Sequence, residues 1–373
     1  MHVRILVAWA DITGYALACW RALARRQGVS LAVLANAPGR FDPQNRLSAP
    51  SDLEWLHVLG EDEVREGDGV WSLVRSFAPS VVFVSGWASA PYRRLLREKS
   101  VGGWRTVLGM DSSLHRPVRQ LLGRVRLSTL LASVDAFFVP GERGRELLSR
   151  WWRIPGDRIW SGLYGVDTEG LRQAYDSRSE AREWPRSFLF VGRYVAIKGV
   201  EELLAGYSRY RGMVEGPMPL RLCGAGPLSS LLSGVEGVED LGYLQPGQML
   251  EALAGAGCFV LPSRYDPWPL AIAEACAAGL PVLASAQCGS SVELIRDGYS
   301  GFLLRGSSAE RIAASLVEMH MRYDDWPAMG ERGHELASAF SAERWADTVL
   351  RIAGHLASVE SRAEATPAPW LQE

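Results

Sequence analysis

The stretch CFVLPSRYDPWPLAIAEACAAGLPVLA, residues 258–284, predicts a strand, a helix and a second strand in succession. Its two ends, Cys258–Leu261 and residues 282–284, are short apolar runs typical of buried strands. Between them, Pro269 fits the first turn of a helix and Gly279 fits its end. We therefore predict one β-strand, α-helix, β-strand unit of a parallel sheet.

The same alternation continues on both sides of this unit and predicts the fold class. Apolar runs predict further strands at residues 3–8, 30–34, 80–85, 105–108, 136–139, 188–191 and 220–223. Helical patterns separate them, which is typical of a doubly wound parallel sheet. We expect an α/β protein with two Rossmann-like domains that face each other across a cleft.

A polar, charged stretch at residues 168–185 separates the two halves of the pattern, and we interpret it as a hinge. The predicted N-terminal domain covers residues 1–180, and the predicted second domain covers residues 186–341. A final helix at about residues 342–360 is expected to pack back on the first domain.

The composition excludes several classes of protein. The 373 residues contain 40 Lys plus Arg against 42 Asp plus Glu, a net charge of -2, so no global attraction to nucleic acid is expected. Five scattered cysteines without zinc-ligand spacing indicate reduced core thiols. The apolar N-terminal run is too short for a signal peptide and no window is long enough for a membrane span, so we predict a cytoplasmic location.

Two cations five residues apart, Arg193 and Lys198, lie between a predicted strand and a predicted helix. Lys198 is one of only two lysines in the chain, so a compact ammonium in place of arginine suggests a specific need. A guanidinium and an ammonium beside a helix N-terminus predict a diphosphate site. The alternative is a surface turn with two solvated charges.

Two acids accompany the helix of the opening stretch. Asp266 precedes it, and Glu274 lies within an otherwise Ala, Leu and Ile helix, where a carboxylate is costly unless it meets a polar partner. A ligand hydroxyl is one such partner, and a backbone amide or an arginine is the alternative. Nothing in the spacing places the two acids as a glycosidase pair.

The turn from Gly224 to Gly226 is weaker evidence. Ser229 stands where a dinucleotide fingerprint has its third glycine, which argues against a dehydrogenase. A tight strand-to-helix turn explains the two glycines equally well.

Taken in order and spacing, these motifs resemble those of the retaining glycosyltransferases of family 4, the glycogen-synthase-like group 1 enzymes with the glycosyltransferase B fold. The resemblance covers most of the chain and is densest over residues 188–303. Besides the two acids, the matching segments are residues 134–140, 165–167, 192–193, 198–199, 224–227, 241–243, 289–295, 297–298 and 301–303.

The resemblance implies transfer of a sugar from a nucleotide-diphosphate sugar to an acceptor hydroxyl, with retained anomeric configuration and with neither a metal nor another cofactor. The donor's own phosphate would assist the acceptor hydroxyl. Arg193 and Lys198 would stabilise the charge of the leaving diphosphate. Asp266 would hold hydroxyls of the donor sugar, and Glu274 would bind the nucleotide ribose.

The resemblance implies that the N-terminal domain binds the acceptor and the second domain binds the donor, with further donor contacts along the same edge. The backbone at Leu270 and Ala271 would meet the phosphates, and Tyr243 with Leu244 would flank the base. Two glycines, Gly14 and Gly224, would also belong to the donor site, Gly14 because it lets the chain approach the donor closely.

Some positions depart from the family pattern. Asp266 replaces the usual glutamate, Pro269 removes one backbone N–H, and Tyr164 replaces an asparagine before Gly165. Where many members carry a histidine near the reacting centre, this chain has Asp111, with His115 four residues on. We expect Asp111 to act near the reacting centre and the acceptor, with His115 as a second acceptor contact.

A basic segment at residues 91–130 carries a net charge of +7, with Glu98 and Asp111 as its acids. Its basic residues are Arg93, Arg94, Arg97, Lys99, Arg105, Arg116, Arg119, Arg124 and Arg126. One interpretation is attraction to anionic lipid head groups or to a lipid-diphosphate acceptor, and hence peripheral contact with the inner face of the membrane. The other is a set of solvated helix faces.

The expected function is therefore transfer of a sugar to a glycan, a lipid-linked acceptor or a small molecule, as in polysaccharide biosynthesis. A nucleotide-sugar epimerase on the same fold is one alternative, and it would consume no acceptor. A nucleotide-sugar-binding subunit without turnover is the other, because the departures at Asp266, Pro269 and Asp111 touch the predicted site.

Overall fold

The computed structural model describes residues 2–37, 49–60 and 68–365, and their strands form two parallel sheets. Both sheets have the strand order of a doubly wound fold, in which the chain starts near the middle, winds to one edge and then returns to the other. The predicted α/β class with two Rossmann-like units is confirmed.

The first sheet has seven strands in the order β3-β2-β1-β4-β5-β6-β7. They are β1 (Val3–Trp9), β2 (Val29–Asn36), β3 (Leu56–Leu59), β4 (Val81–Val84), β5 (Arg105–Gly109), β6 (Ala136–Val139) and β7 (Ile159–Ser161). The helices of this unit are α1 (Gly14–Ala24), α2 (Asp68–Phe77), α3 (Ala90–Arg97), α4 (Lys99–Gly102), α5 (Pro117–Arg126), α6 (Ser128–Ser133) and α7 (Glu142–Glu146).

The second sheet has six strands in the order β10-β9-β8-β11-β12-β13. They are β8 (Phe188–Val191), β9 (Leu220–Cys223), β10 (Val238–Gly242), β11 (Cys258–Leu261), β12 (Val282–Ser285) and β13 (Gly301–Leu304). Its helices are α8 (Thr168–Ser179), α9 (Val200–Arg211), α10 (Pro246–Ala254), α11 (Leu270–Ala277), α12 (Ser291–Leu294), α13 (Ala309–Met321) and α14 (Trp326–Ala337).

The core of each unit follows from the apolar runs of the sequence. Strands β4, β6, β11 and β12 are buried along their whole length, as expected for central parallel strands with helices on both faces. All five cysteines are free and buried. None of the helices in the described part of the chain combines the length and the apolar character that crossing a bilayer requires.

The segment predicted to be a polar hinge is instead helix α8. The Asp167 side chain accepts a hydrogen bond from the Gly170 N–H at 3.0 Å and caps the helix, which packs on the core of the second unit through Ala174. Arg178 is 2% exposed, and its guanidinium donates to backbone carbonyls, among them that of Ala256 at 2.9 Å. A polar sequence can form such a packed helix because its one buried charge is hydrogen-bonded.

The chain crosses between the units at two adjacent points, Val166 and Ser341, which pair as a β-bridge. The Val166 N–H donates to the Phe340 carbonyl at 2.8 Å, and the Ala342 N–H donates to the Val166 carbonyl at 3.0 Å. Beyond this bridge, helix α15 (Ala342–Ala365) returns to the first unit. There it packs against α1, and the Trp345 indole N–H donates to the Leu163 carbonyl at 2.9 Å.

Replacing Arg178 with alanine should lower the free energy of unfolding by about 3 kcal/mol, because buried carbonyls lose their donor and a cavity remains. Urea denaturation measures the change. Arg172→Ala is the matched control on the same helix, because the side chain of Arg172 is 66% exposed and its ion pair with Asp176 is solvated. Equal effects of the two substitutions would contradict the packing assigned to α8.

Candidate active site

The carboxyl ends of the two sheets face one another, and loops from the two units touch. The ring of His115, which follows β5, stacks on Tyr265, which follows β11, with 3.9 Å between ring centroids. The Tyr265 hydroxyl donates to the Ser113 carbonyl at 3.2 Å. The cleft between the units is therefore bounded on one side by these contacts.

The predicted cation Lys198 and the predicted acid Asp266 form an ion pair in the cleft. Both side chains are largely buried, at 17% and 12% exposure. Gly199 follows Lys198 with a φ of +74°, and a Cβ there would lie 2.4 Å from the Pro262 carbonyl oxygen, so the turn that aims Lys198 at Asp266 requires glycine. The sequence predicted both residues as donor contacts but did not predict their pairing.

The other predicted cation, Arg193, is exposed at the end of β8. Its guanidinium makes no hydrogen bond or ion pair to another residue that the structure describes. It lies five residues from Lys198 in the same loop, so both cations belong to the mouth of the second unit.

Helix α11 presents its N-terminus to this loop. It begins at Leu270, with Pro269 as the N-cap residue, no side-chain cap and no acid in its first turn. The N–H groups of Leu270 and Ala271 therefore have no intrahelical acceptor, and such a terminus favours an anion. Because Pro269 is the N-cap residue, its missing N–H does not lower the number of N–H groups that the first turn of the helix offers.

Glu274 lies one turn further along α11 and is half-buried. Within the described ranges, neither a backbone amide nor an arginine contacts its carboxylate, so the structural alternative raised for this residue is not observed. Burial raises the pKa of the Glu274 carboxyl. A hydroxyl-bearing ligand remains the partner that would offset this cost.

Asp111 brings a carboxylate from the first unit to the same point. Tyr164, Asp266 and Lys198 are all close enough to influence its pKa, which Tyr164 and Lys198 lower and Asp266 raises. Solvent reaches Asp111, but protein surrounds most of its carboxyl group, and this desolvation raises its pKa to about 6. Asp111 thus lies near the Lys198–Asp266 pair, across the cleft.

Tyr164 is a site residue that the sequence showed only as a departure from the family pattern. Its ring packs edge-on against Tyr15, at 5.4 Å between centroids, and also contacts Trp268 at 5.9 Å. Burial holds the pKa of Tyr164 well above 10, so its hydroxyl stays protonated. The unusual residue before Gly165 was the signal that could have identified it.

The two predicted glycines have different surroundings. Gly14 is exposed at the start of α1, and a Cβ there would meet no protein atom within 4 Å. A Cβ at Gly224 would lie 2.0 Å from the Gly192 carbonyl oxygen, and the Gly224 N–H already donates to Gly242 at 2.8 Å. Protein packing therefore explains Gly224, whereas open space surrounds Gly14.

Tyr243 and Leu244 lie in the loop between β10 and α10 and are partly exposed. Leu244 packs against the core of the second unit. Because the strands of this sheet are parallel, the loop after β10 lies at the same edge of the sheet as the loop after β8, two strands away.

A second link between the units involves Glu293, which was predicted only as part of the matching segment at residues 289–295. Its carboxylate accepts a hydrogen bond from the Glu142 N–H at 2.8 Å and another from the Trp268 indole at 3.2 Å. Desolvation raises the pKa of Glu293. This carboxylate ties the start of α7 to the loop that carries Asp266.

The basic segment at residues 91–130 divides into paired and unpaired charges. Lys99 and Arg105 contact Asp135 at 2.7 and 3.5 Å, and Arg94 contacts Glu98 at 2.6 Å. Arg93 and Arg124 donate to backbone carbonyls. Four arginines make no side-chain hydrogen bond or ion pair to any other described residue: Arg97, Arg116, Arg119 and Arg126.

Asp111→Asn should change how stability depends on pH. Because the folded-state pKa of Asp111 is raised to about 6, the wild type binds this proton more tightly when folded, so the stabilisation is present below about pH 4 and is lost as pH rises to about 6. The Asp111→Asn variant does not lose this stability as the pH rises. Its stability relative to wild type should therefore rise between pH 4 and 6 and stay constant above about pH 7, as urea denaturation would measure; a pH-independent difference would contradict the raised pKa.

Comparison with known proteins agrees with this geometry. A family model for group 1 glycosyl transferases matches residues 185–321. Over 371 aligned residues, the chain is 29% identical to a glycogen synthase from Mycobacterium tuberculosis, with 92% of this chain and 84% of that protein covered.

Two solved structures share the fold. Sucrose-phosphate synthase from Thermosynechococcus elongatus superposes with a TM-score of 0.72 at 17% identity, covering 96% of this chain and 100% of that one. Anabaena HepE, solved in complex with UDP and glucose, gives a TM-score of 0.67 at 15% identity, with the same coverage. The chain is thus a glycosyltransferase with two Rossmann-like units in the glycosyltransferase B fold, and its second unit is similar to the group 1 enzymes.

Proposed function

We propose that this glycosyltransferase moves a sugar from a nucleotide-diphosphate sugar to an acceptor hydroxyl, with retained configuration and without a metal ion. The observation that carries the proposal is the Lys198–Asp266 pair beside the N-terminus of α11. A cation, a carboxylate and unpaired amides together match a diphosphate joined to a sugar. The HepE structure with UDP and glucose supports a donor of this class.

On donor binding, the diphosphate accepts hydrogen bonds from the N–H groups of Leu270 and Ala271. Lys198 exchanges Asp266 for a phosphate oxygen, and Arg193 supplies a second positive charge. These groups stabilise the negative charge that develops on the leaving diphosphate. Asp266, released from the ammonium, then accepts hydrogen bonds from hydroxyls of the donor sugar.

The nucleoside extends along the same edge. Glu274 accepts hydrogen bonds from the ribose hydroxyls. These bonds offset the cost of burying a carboxylate that has no partner in the protein. Tyr243 and Leu244 flank the base. The chain at Gly14 closes over the donor from the first unit, where a Cβ would occupy the open space.

Retention without a covalent intermediate requires that the acceptor attack from the face on which the diphosphate leaves. Once the donor is bound, Asp266 holds the sugar hydroxyls and Asp111 holds the acceptor hydroxyl, so neither carboxylate acts as a nucleophile. The bond from the sugar to the phosphate oxygen breaks as the acceptor oxygen bonds to the same carbon from the same face, and a diphosphate oxygen takes the acceptor proton. Asp111, mostly ionised at pH 7, orients the acceptor hydroxyl.

Donor binding should be visible as thermal stabilisation in the presence of a chelator. At a ligand concentration one hundred times Kd, binding adds about 2.7 kcal/mol to the stability of the folded state. We expect one base family of nucleotide diphosphates to stabilise the wild type, and Lys198→Ala and Glu274→Ala to lose the shift. Glu310→Gln is the control, because the side chain of Glu310 is 60% exposed on α13. A shift that survives both substitutions would contradict the assigned donor site.

The stereochemistry can be tested with the nucleotide sugar that gives the largest shift, using water as the acceptor. Proton NMR should show that the first sugar released has the donor's anomeric configuration, with or without chelator. Lys198→Ala should slow release by about 100-fold or more, because it removes a charge that acts on the leaving group.

Four other results of the same NMR experiment would overturn the proposal. An inverted product would exclude retention, and a requirement for added metal would exclude metal independence. A donor altered at one sugar carbon without release would favour the epimerase, whereas binding without any reaction would favour the inactive subunit.

A further inference from the structure

Helix α5 differs from an ordinary surface helix because none of its residues is buried. Its four large apolar side chains, at positions 118, 121, 122 and 125, are spaced to share one face. They are exposed by 75% at Val118, 53% at Leu121, 67% at Leu122 and 62% at Val125. A contiguous apolar face of this kind marks an interaction surface.

The opposite side of α5 covers a cavity of about 570 Å³. Arg116, Arg119 and Arg126 line it from the helix, and Trp87 and Trp152 line it from the rest of the first unit. As described above, these three arginines make no ion pair within the described residues. Uncompensated guanidinium groups in a concave site favour an anion, above all a phosphate.

The cavity opens beside the candidate active site. His115 and Tyr265, which stack on each other at the edge of the cleft, also line the cavity. Met110 and Ser112, the neighbours of Asp111, line it as well. A phosphate held by the arginines would therefore present attached hydroxyl groups toward Asp111.

We propose that α5 lies on an anionic lipid surface through its apolar face, and that the cavity binds the phosphate-bearing head group of a membrane-held acceptor. This inference rests on the proposed function, since it names the class of acceptor. The ten residues of α5 span about 15 Å, half of a bilayer core, so the helix lies in the interface rather than across it.

Charge distinguishes a lipid surface from other occupants of the apolar face. Between residues 112 and 134 the sequence contains no Asp or Glu, so arginines are the only charged residues on α5. A second copy docked through the same face would bring these positive charges together. An anionic bilayer supplies both the negative charge and the apolar layer beneath it.

The experiment is flotation of the full chain with vesicles of phosphatidylcholine, with and without phosphatidylglycerol, at low and high salt. We expect binding only to the anionic vesicles, weakened by salt. Leu121→Ser combined with Leu122→Ser should lower the affinity by about tenfold or more, because two apolar side chains no longer enter the lipid. Met321→Ser, a change at an apolar residue 76% exposed on α13, is the control.

The role of the arginines is tested with the double variant Arg119→Gln and Arg126→Gln. Each arginine near an anionic surface is worth about a fivefold change in affinity, so the pair should weaken binding by about 25-fold. Arg21→Gln on α1 combined with Arg25→Gln at its C-cap makes the same change in net charge away from the cavity. Loss of vesicle binding in this control equal to that in the cavity variant would overturn the proposal.

Soluble glycerol 3-phosphate separates a lipid from a free phosphate ester, because Trp87 and Trp152 report on the cavity by fluorescence. Competition between this ester and anionic vesicles supports the membrane-held acceptor. Binding of the ester without any binding of vesicles at low salt overturns it in favour of a soluble acceptor, and binding of neither overturns it entirely. The thermal shift with nucleotide diphosphates, measured on the same variants, should be unchanged, so failure here leaves the donor site standing.

Discussion

The ion pair between Lys198 and Asp266 bridges the point at which the second sheet reverses its strand order. Lys198 follows β8 and Asp266 follows β11, and these two strands are neighbours although two α-helices and two strands separate them in sequence. Open α/β sheets bind ligands at such a switch point, where the loops of adjacent strands diverge and leave a crevice. A buried pair of this kind adds little net stability but is costly to break without a replacement partner. An incoming diphosphate supplies that replacement for the ammonium, and sugar hydroxyls supply it for the carboxylate.

The first unit meets the second around this pair through hydrogen bonds and two aromatic contacts, His115 with Tyr265 and Tyr164 with Trp268. Ser113, Tyr265 and Glu293 provide the contacts described above, and the two chain crossings are joined by the bridge between Val166 and Ser341. A polar interface between domains permits relative motion at small cost, because water can replace each hydrogen bond as the contact opens. The adjacent crossings allow such a motion to occur about one place in the chain.

Sequence periodicity predicted what is local in this fold. The β11, α11, β12 unit has apolar strands and proline and glycine at its helix ends, so its elements were predicted to within about one residue. The same signals fail for α8, whose charged sequence does not suggest a packed helix. Arg178 can be buried there because its guanidinium donates to carbonyls that are distant in sequence. They also fail for β10, whose Glu239 and Asp240 are exposed at the sheet edge.

The candidate site was predicted residue by residue but not as an arrangement. Family resemblance identified Lys198, Asp266 and Asp111 separately, since each occupies a motif position. Their mutual contacts depend on how the two units dock, and Tyr164 lies beside Asp111 although the two are 53 positions apart in sequence. Because no local pattern encodes such a contact, the raised pKa of Asp111 and the pairing of Lys198 could be obtained only from the three-dimensional structure.

The segment at residues 289–295 shows why a motif without catalytic groups accompanies the acid-bearing loop. The Gly289 N–H donates to the Asp266 carbonyl at 2.9 Å, and a Cβ on Gly289 would lie 1.6 Å from the Pro267 carbonyl oxygen. Ser290 donates from its hydroxyl to the Pro269 carbonyl at 3.0 Å. Successive residues of the motif therefore hold successive backbone groups of the loop. Since Asp266 is one methylene shorter than the glutamate usual in the family, its carboxylate can meet Lys198 only if the loop is held close, and this clamp supplies the constraint that the shorter side chain requires.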